Sequence, residues 1–366
     1  MKIGIVWLPN VGKSTLFNAL TKNYAADAAN FPFCTIEPNV WVVDVKDPRV
    51  EQLAEISQTD KLIYAAINFV DIAWLVKGAS QGEWLGNQFL ANIREVDAIV
   101  QVVRHFEDDD VVHVEWWPDP LRDVEIINTE LMIADLQMIE KILWWLERRM
   151  KGPDQEAKQL FAIFTKMKDY LEAWKLAYDI ADELNEWEKE LLKPYNLLTY
   201  KPFIYALNVA EDELVKAVEL QKAFGEKLHK PVTVVCAKFE SEIMDLDADE
   251  KAMFIDELKW GQDVHIPTLD DLIKLAYDTV GLMYYFTTGQ KETRAWTVKK
   301  WATAPQAAGV IHTDFQRGFI KADVVTCTDF ISAWWRAKAR EQGKVRLEWK
   351  EYIVQDGDVM LFKFNT

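Results

Sequence analysis

Lys2-Ile3-Gly4-Ile5-Val6-Trp7-Leu8-Pro9-Asn10-Val11-Gly12-Lys13-Ser14-Thr15-Leu16-Phe17-Asn18-Ala19-Leu20 decides the fold class. Residues 2–6 are mostly apolar without polar alternation, as in a strand buried on both faces of a parallel sheet. Residues 16–20 begin a helical pattern, so strand, loop and helix follow in the order of a phosphate-binding loop. In such a loop, backbone N–H groups and the helix N-terminus meet phosphate oxygens. Lys13 supplies a point charge to the β- and γ-phosphates, which makes it the catalytic candidate, and the Ser14 hydroxyl ligates Mg²⁺. Asn10, Val11, Gly12, Lys13, Ser14 and Thr15 are therefore the expected phosphate contacts. The plainer alternative is a strand-to-helix turn that happens to contain Gly-Lys-Ser. One position departs from G-x-x-x-x-G-K-[ST]: Trp7 stands where the first glycine opens the tight turn, so a changed loop or backbone strain is expected there.

Composition limits what surrounds this loop. The 366 residues suggest two or three domains, half of them are hydrophobic, and 28% are charged, so disorder and collagen are excluded. The 42 Lys+Arg against 59 Asp+Glu give −17, which argues against a generally basic nucleic-acid coat or membrane-surface protein. Three widely spaced cysteines fit a reducing compartment. The N-terminus does not read as a signal peptide and no apolar run reaches about 18 residues, so a soluble cytoplasmic protein with no membrane contact is expected.

Further along, Phe31-Pro32-Phe33-Cys34-Thr35-Ile36-Glu37-Pro38-Asn39 falls where the first mobile loop of a P-loop GTPase lies, and Thr35 is placed to complete a Mg²⁺ shell. Ile67–Val70 reads as a strand ending in Asp71, a Mg²⁺ partner through water in a D-x-x-G-like segment. The glycine of that segment is Trp74, and Leu75 replaces the glutamine that orients water in Ras-like GTPases. Together with Leu8–Thr15, Asn30–Asn39, Leu75-Val76-Lys77-Gly78-Ala79-Ser80, Phe106-Glu107-Asp108-Asp109-Asp110 and Asn208-Val209-Ala210-Glu211, these strings resemble the Obg-like ATPase (YchF) family across essentially the whole chain.

Guanine is usually read by N-K-x-D after a strand. Here Phe203–Leu207 ends in Asn208-Val209-Ala210-Glu211, without the lysine and with a carboxylate one methylene longer. The guanine-selective geometry is lost, and the resemblance implies ATP preferred over GTP, with Asn208, Val209 and Glu211 at the base. A helix cap is the competing reading of Asn followed three residues later by Glu. Val232–Lys238 resembles the last nucleotide-binding loop, which adds Cys236 and Ala237; Cys236 itself reads as a small core residue.

Val124–Met150 and Gln155–Ala177 carry apolar residues at spacings of three and four, broken at Lys151-Gly152-Pro153. This is a helical, coiled-coil-like arm, either a partner surface or simply packed on itself. From Met283 onward, Thr287-Thr288-Gly289, Arg294–Val298, Thr303–Gly309, Ile311–Phe315 and Gln355–Val359 read as short strands with turns and resemble the TGS module, a β-grasp domain of ribosome-associated proteins. Residues 283–366 hold 13 Lys+Arg and 9 Asp+Glu, a net of +4, which leaves −21 elsewhere. A cationic lobe on an acidic body suits ribosomal RNA, although a solvated face without a partner is the alternative. Asp356-Gly357-Asp358 reads as a turn rather than a metal pair, and His312 as structural.

The expected architecture is thus α/β: a P-loop NTPase domain on a parallel-type sheet (1–121 and 201–282), the inserted arm (122–200) and the TGS domain (283–366). The resemblance implies a Mg²⁺-dependent hydrolase of ATP or GTP, acting as a slow switch that meets the ribosome through its arm and TGS domain. The rival is a ribosome- or RNA-binding scaffold whose pocket is impaired by Trp7 and Trp74. A P-loop kinase is less suitable because no arginine-rich lid is visible. Sixteen tryptophans against fourteen glycines is unusual. Trp7, Trp41, Trp74, Trp84, Trp116, Trp301 and Trp349 fall where the family pattern has glycine, as in an altered family member, and overpacking of about 1–3 kcal/mol per site is expected.

Overall fold

The computed structural model describes residues 1–24, 39–72, 84–108 and 119–365. Strand β1 (Lys2–Trp7) is buried from Ile3 onward, with no face left for polar side chains. It pairs in parallel with β4 (Ala65–Asp71) and with β5 (Ala98–Arg104). β5 pairs in parallel with β6 (Phe203–Asn208), and β6 with β7 (Val232–Val235). Every residue of β5 and β6 is buried, which is why both are mainly apolar, with Gln101, Arg104 and Asn208 as their buried polar members. With β2 (Val40–Val45), the sheet order is β2-β4-β1-β5-β6-β7, the expected parallel-type sheet. The register brings Trp7, Asp71, Arg104, Asn208 and Val235 to one edge, the carboxyl ends of five strands. Ligands of open α/β sheets bind at that edge.

Helix α1 (Lys13–Tyr24) follows β1; α2 spans Pro48–Ser57 and α3 Trp84–Arg94. The helical insert is a hairpin. Asp119 caps α4 (Pro120–Arg149) by accepting from the Arg122 N–H, and Pro120 opens the first turn. Asp154 caps α5 (Gln155–Glu172) and also accepts from the Arg149 guanidinium, closing the turn between the two helices. The root of the hairpin is pinned by Asp135, a fully buried carboxylate on α4. It accepts from the Leu198 and Thr199 N–H groups and the Thr199 hydroxyl.

The chain forms two compact units, the first containing residues 1–23, 39–41 and 68–272 and the second 24, 42–67 and 273–365, as far as these are described. In the second unit, β8 (Leu282–Thr287) and β9 (Thr293–Lys299) make an antiparallel hairpin. The last strand, β12 (Asp358–Phe364), runs parallel to β8. β10 (Phe319–Thr326) lies antiparallel to β12, and β11 (Arg346–Glu348) antiparallel to β10. A hairpin whose first strand lies parallel to the last, crossed by the helix Ala304–Ile311, is a β-grasp arrangement. Ala304, Ala307 and Ala308 of that helix join Tyr285, Val324 and Met360 in the core.

Two features of this unit differ from the sequence expectation. Thr303–Gly309 and Ile311–Phe315, expected as strands, belong to the helices Ala304–Ile311 and Thr313–Arg317. Local capping decides this: the Gln306 side chain accepts from the Thr303 N–H, Pro305 sits in the first turn, and His312 Nδ1 accepts from the Asp314 N–H. His312 is thus structural, as expected. Segment 42–67, set within 1–121 by the sequence, lies in this second unit. Its α2 buries Val50, Leu53 and Ile56 and packs on β9, while β3 (Leu62–Ile63) adds a parallel edge strand to β9. Gly357, at φ +79°, makes the turn between Asp356 and Asp358, and Asp356 pairs with Arg49.

Four tryptophans, Trp174, Trp260, Trp301 and Trp334, adopt left-handed φ values of 59°, 50°, 72° and 64°. Such values suit glycine and strain an indole-bearing residue. Trp301 and Trp349 are exposed, so neither overpacks a core. Trp74 and Trp116 lie outside the described residues.

Candidate functional site

Trp7 ends β1 with no left-handed backbone, so the strain expected at this position is not found. The loop turns instead at Asn10 (φ +62°) and Gly12 (φ +86°), and α1 begins at Lys13. Gly12 is required twice over. Its φ excludes most side chains, and a Cβ there would stand 2.4 Å from Asn208 Nδ2. That carboxamide spans two loops: Nδ2 donates to the Val11 carbonyl at 2.8 Å, and Oδ1 accepts from the Ala237 N–H at 2.9 Å. Asn208 therefore fastens the phosphate loop to the loop after β7. Its backbone carbonyl accepts from the N–H groups of His105 and Phe106, which adds the loop after β5. The cap expected as an alternative at Asn208 is made elsewhere, by Glu213 accepting from the Ala210 N–H.

Arg104 completes this wall. Almost fully buried, it donates to the carbonyls of Phe106, Asp108 and Asn10 and lies 4.5 Å from the Phe106 ring centroid. Burial lowers its pKa, and the charges of Asp108 and Asp123 work against that. Composition and motif gave no reason to single out this arginine.

These loops enclose a cleft of about 700 Å³. Asn10, Gly12 and Thr15 line one end; Asn208, Val209, Glu211, Cys236 and Ala237 line the rest. Phe106, Leu258 and Trp260 add apolar walls that the sequence did not suggest. Cys236 is buried, its Sγ accepts from the Phe239 N–H, and burial raises its pKa, which disfavours the thiolate. The Ala237 N–H, expected near a base, is taken by Asn208.

Lys13 Nζ lies 2.6 Å from Asp71 Oδ2 and 4.1 Å from the Trp7 ring centroid. Burial raises the Asp71 pKa, while the Lys13 ammonium beside it pulls the other way. Asp71 Oδ1 is buried and, among the described residues, has no hydrogen-bond partner. A free carboxylate oxygen together with the exposed hydroxyl-bearing Ser14 at the start of α1 is a hard-oxygen donor set, which fits Mg²⁺. Thr35 and Leu75 lie outside the described residues. No cluster of three His, Cys, Asp or Glu with metal-site geometry occurs among the described residues.

Residues 2–142 match a family model described as a 50S ribosome-binding GTPase. Residues 282–365 match the C-terminal model of YchF-type GTPases, described as a protein of unknown function (DUF933). The chain is 48% identical over 368 residues to the ribosome-binding ATPase YchF of Bacillus subtilis (strain 168), covering 99% of each. It is 44% identical over 378 residues to Obg-like ATPase 1 of Danio rerio, covering 100% of this chain and 93% of that one. The structure of the Schizosaccharomyces pombe YchF GTPase superposes with a TM-score of 0.85 at 35% identity, covering 99% and 97% of the two chains.

Proposed function

This chain belongs to the YchF and Obg-like ATPase family of P-loop proteins, and from that premise we propose that it binds and hydrolyses ATP, in preference to GTP, as a slow ribosome-associated switch. The observation that carries the proposal is the assembly of one wall from three loops. Gly12, Asn208 and Ala237 are locked together beside a nucleotide-sized cleft at the carboxyl edge of a parallel sheet.

Phosphates are placed at the N–H groups of Asn10 to Thr15, with Lys13 as the cation that offsets charge developing on the β–γ bridge. Mg²⁺, bound with the nucleotide, supplies further charge neutralisation at the phosphates; Ser14, Thr35 and Asp71 (through water) are the proposed holders. The base is assigned to the far end of the cleft, against Phe106 and Glu211. Guanine selectivity relies on a short carboxylate accepting from two adjacent N–H groups. Here the side chain is a longer Glu211, and the residue after Asn208 is the buried Val209 instead of a bracing lysine. That supports adenine.

Ribosome association is carried over from relatives with that name, together with the net +4 of residues 283–366. Lys299, Lys300, Lys338 and Lys350 are exposed on that segment, and the α4–α5 hairpin is the second proposed contact. The second reading, a scaffold with an impaired pocket, is favoured by the engagement of Lys13 with Asp71 and Trp7.

Titration with labelled ATP and GTP in Mg²⁺ separates these readings. Saturable binding with ATP tighter than GTP is expected. GTP binding more tightly overturns the base assignment, and no binding of either supports the scaffold.

A further inference from the structure

Two aromatic rings lie beside one ammonium group, and a third packs against the second of them. The Trp7 centroid on β1 is 4.1 Å from Lys13 Nζ, and the Phe17 centroid on α1 is 5.5 Å from it. Trp7 meets Phe17 edge-on at 6.0 Å, and Phe17 meets Trp41 of β2 at 4.8 Å. Trp7 is only 5% exposed, so its ring is fixed by packing. On its other side the ammonium touches Asp71, the carboxylate whose second oxygen is unpartnered among the described residues. Neither Trp7 nor Lys13 lines the cleft.

We infer that Trp7 is a positioning residue: it holds Lys13 against Asp71, away from the phosphate loop, until a divalent cation claims the Asp71 carboxylate. The inference rests on the nucleotide-binding reading above. A glycine at position 7 would offer no ring, and Lys13 would have only the ion pair and the more distant Phe17 ring to leave. With the indole present, the ammonium gives up a cation–π contact as well. A cation at Asp71 Oδ1 puts a second positive charge beside the ammonium on Oδ2, and repulsion between the two weakens the hold of Asp71 on Lys13, so the cation and Lys13 compete. Cation binding then favours release of Lys13, release favours the phosphates, and linkage requires each ligand to tighten the other. Trp7 deepens that coupling by stabilising the unliganded arrangement.

Lys13 can be read directly, without nucleotide, by timed acetylation with acetic anhydride and peptide mass analysis, with exposed Lys299 as internal reference. In the parent, Lys13 should acetylate more slowly than Lys299, and Mg²⁺ alone should speed it. Trp7→Leu, which fills the space without a π-face, should speed Lys13 about three- to tenfold in the absence of Mg²⁺. Trp7→Phe keeps an aromatic face and should stay within about twofold of the parent. An unchanged rate in Trp7→Leu, or equal acceleration in Trp7→Phe, overturns the inference. Should Trp7→Leu fail to fold, the parent decides, because no acceleration by Mg²⁺ overturns the competition for Asp71. ATP affinity is then measured with Mg²⁺ and with chelator. Trp7→Leu should narrow the gap between the two, mainly by tightening metal-free binding; an unchanged gap counts against the coupling. If neither protein binds ATP in either condition, the nucleotide reading falls while the acetylation result still decides the placement of Lys13.

Discussion

Asn208 uses both ends of one carboxamide, and its partners are 197 and 29 residues away in sequence. Asn208→Ala leaves the Val11 carbonyl and the Ala237 N–H without this partner and opens space beside Gly12. We expect a loss of about 2–4 kcal/mol in urea unfolding and at least a tenfold weaker ATP affinity; unaltered binding would remove Asn208 from the wall of the site. The left-handed tryptophans give a prediction of the opposite sign. Trp301→Gly and Trp334→Gly should each stabilise the protein by about 1 kcal/mol, because glycine accepts that backbone freely. Trp349→Gly is the control: Trp349 is equally exposed to view but is not among the left-handed residues, so no gain is expected. At this scale, sequence was informative where neighbours in the chain are neighbours in space. Lys13 and Gly12 were visible from their own loop. The tie from Asn208 to Val11 and the buried Arg104 were not, since no periodicity or spacing encodes a partner supplied from another strand.

Among the elements, the helix Leu269–Thr279 is capped by a residue outside its own sequence: Glu240 accepts from the Leu269 N–H at 2.7 Å while almost fully buried. Burial pushes the Glu240 pKa up to about 7 from 4.5, only partly opposed by the Leu269 N–H. The folded state therefore holds this proton more tightly than the unfolded one. Its contribution is complete below the unfolded value and disappears as pH rises through about 7. Glu240→Gln keeps an acceptor for Leu269 and has no charge to bury. Relative to that variant, the parent should lose about 2 kcal/mol between pH 5.5 and 8.5, read as the difference in urea stability; parallel curves would refute the shift. Elements were most legible where a period was long. The break at Lys151-Gly152-Pro153 coincides with the turn between α4 and α5, but α5 ends at Glu172, short of the expected Ala177. The short helices at 304–317 were missed because alanine and threonine give no strong period over so few residues. The Thr303–Gln306 cap and Pro305 were the signal present in the sequence.

For the whole molecule, the second unit is discontinuous in sequence: α2 and β3 come from residues 42–67, far upstream of β8. A fragment of residues 283–366 would lack the β3 edge of its sheet and the apolar face of α2. It should unfold at lower urea than the full chain's second unit, and adding residues 42–67 through a flexible linker should restore stability; equal stability without them would show that the β-grasp sheet needs no such edge. Domain order was legible as composition and motif, but this upstream contribution was not, because a two-residue strand carries no pattern of its own. The four indoles at left-handed positions bear on how this molecule would change over time. Each projects outward, at 63–83% exposure, and gains little cohesion for the backbone tension beneath it. A mutating population screened only for surviving heat would therefore shed these rings early, and the first replacements to spread would be the smallest residue available.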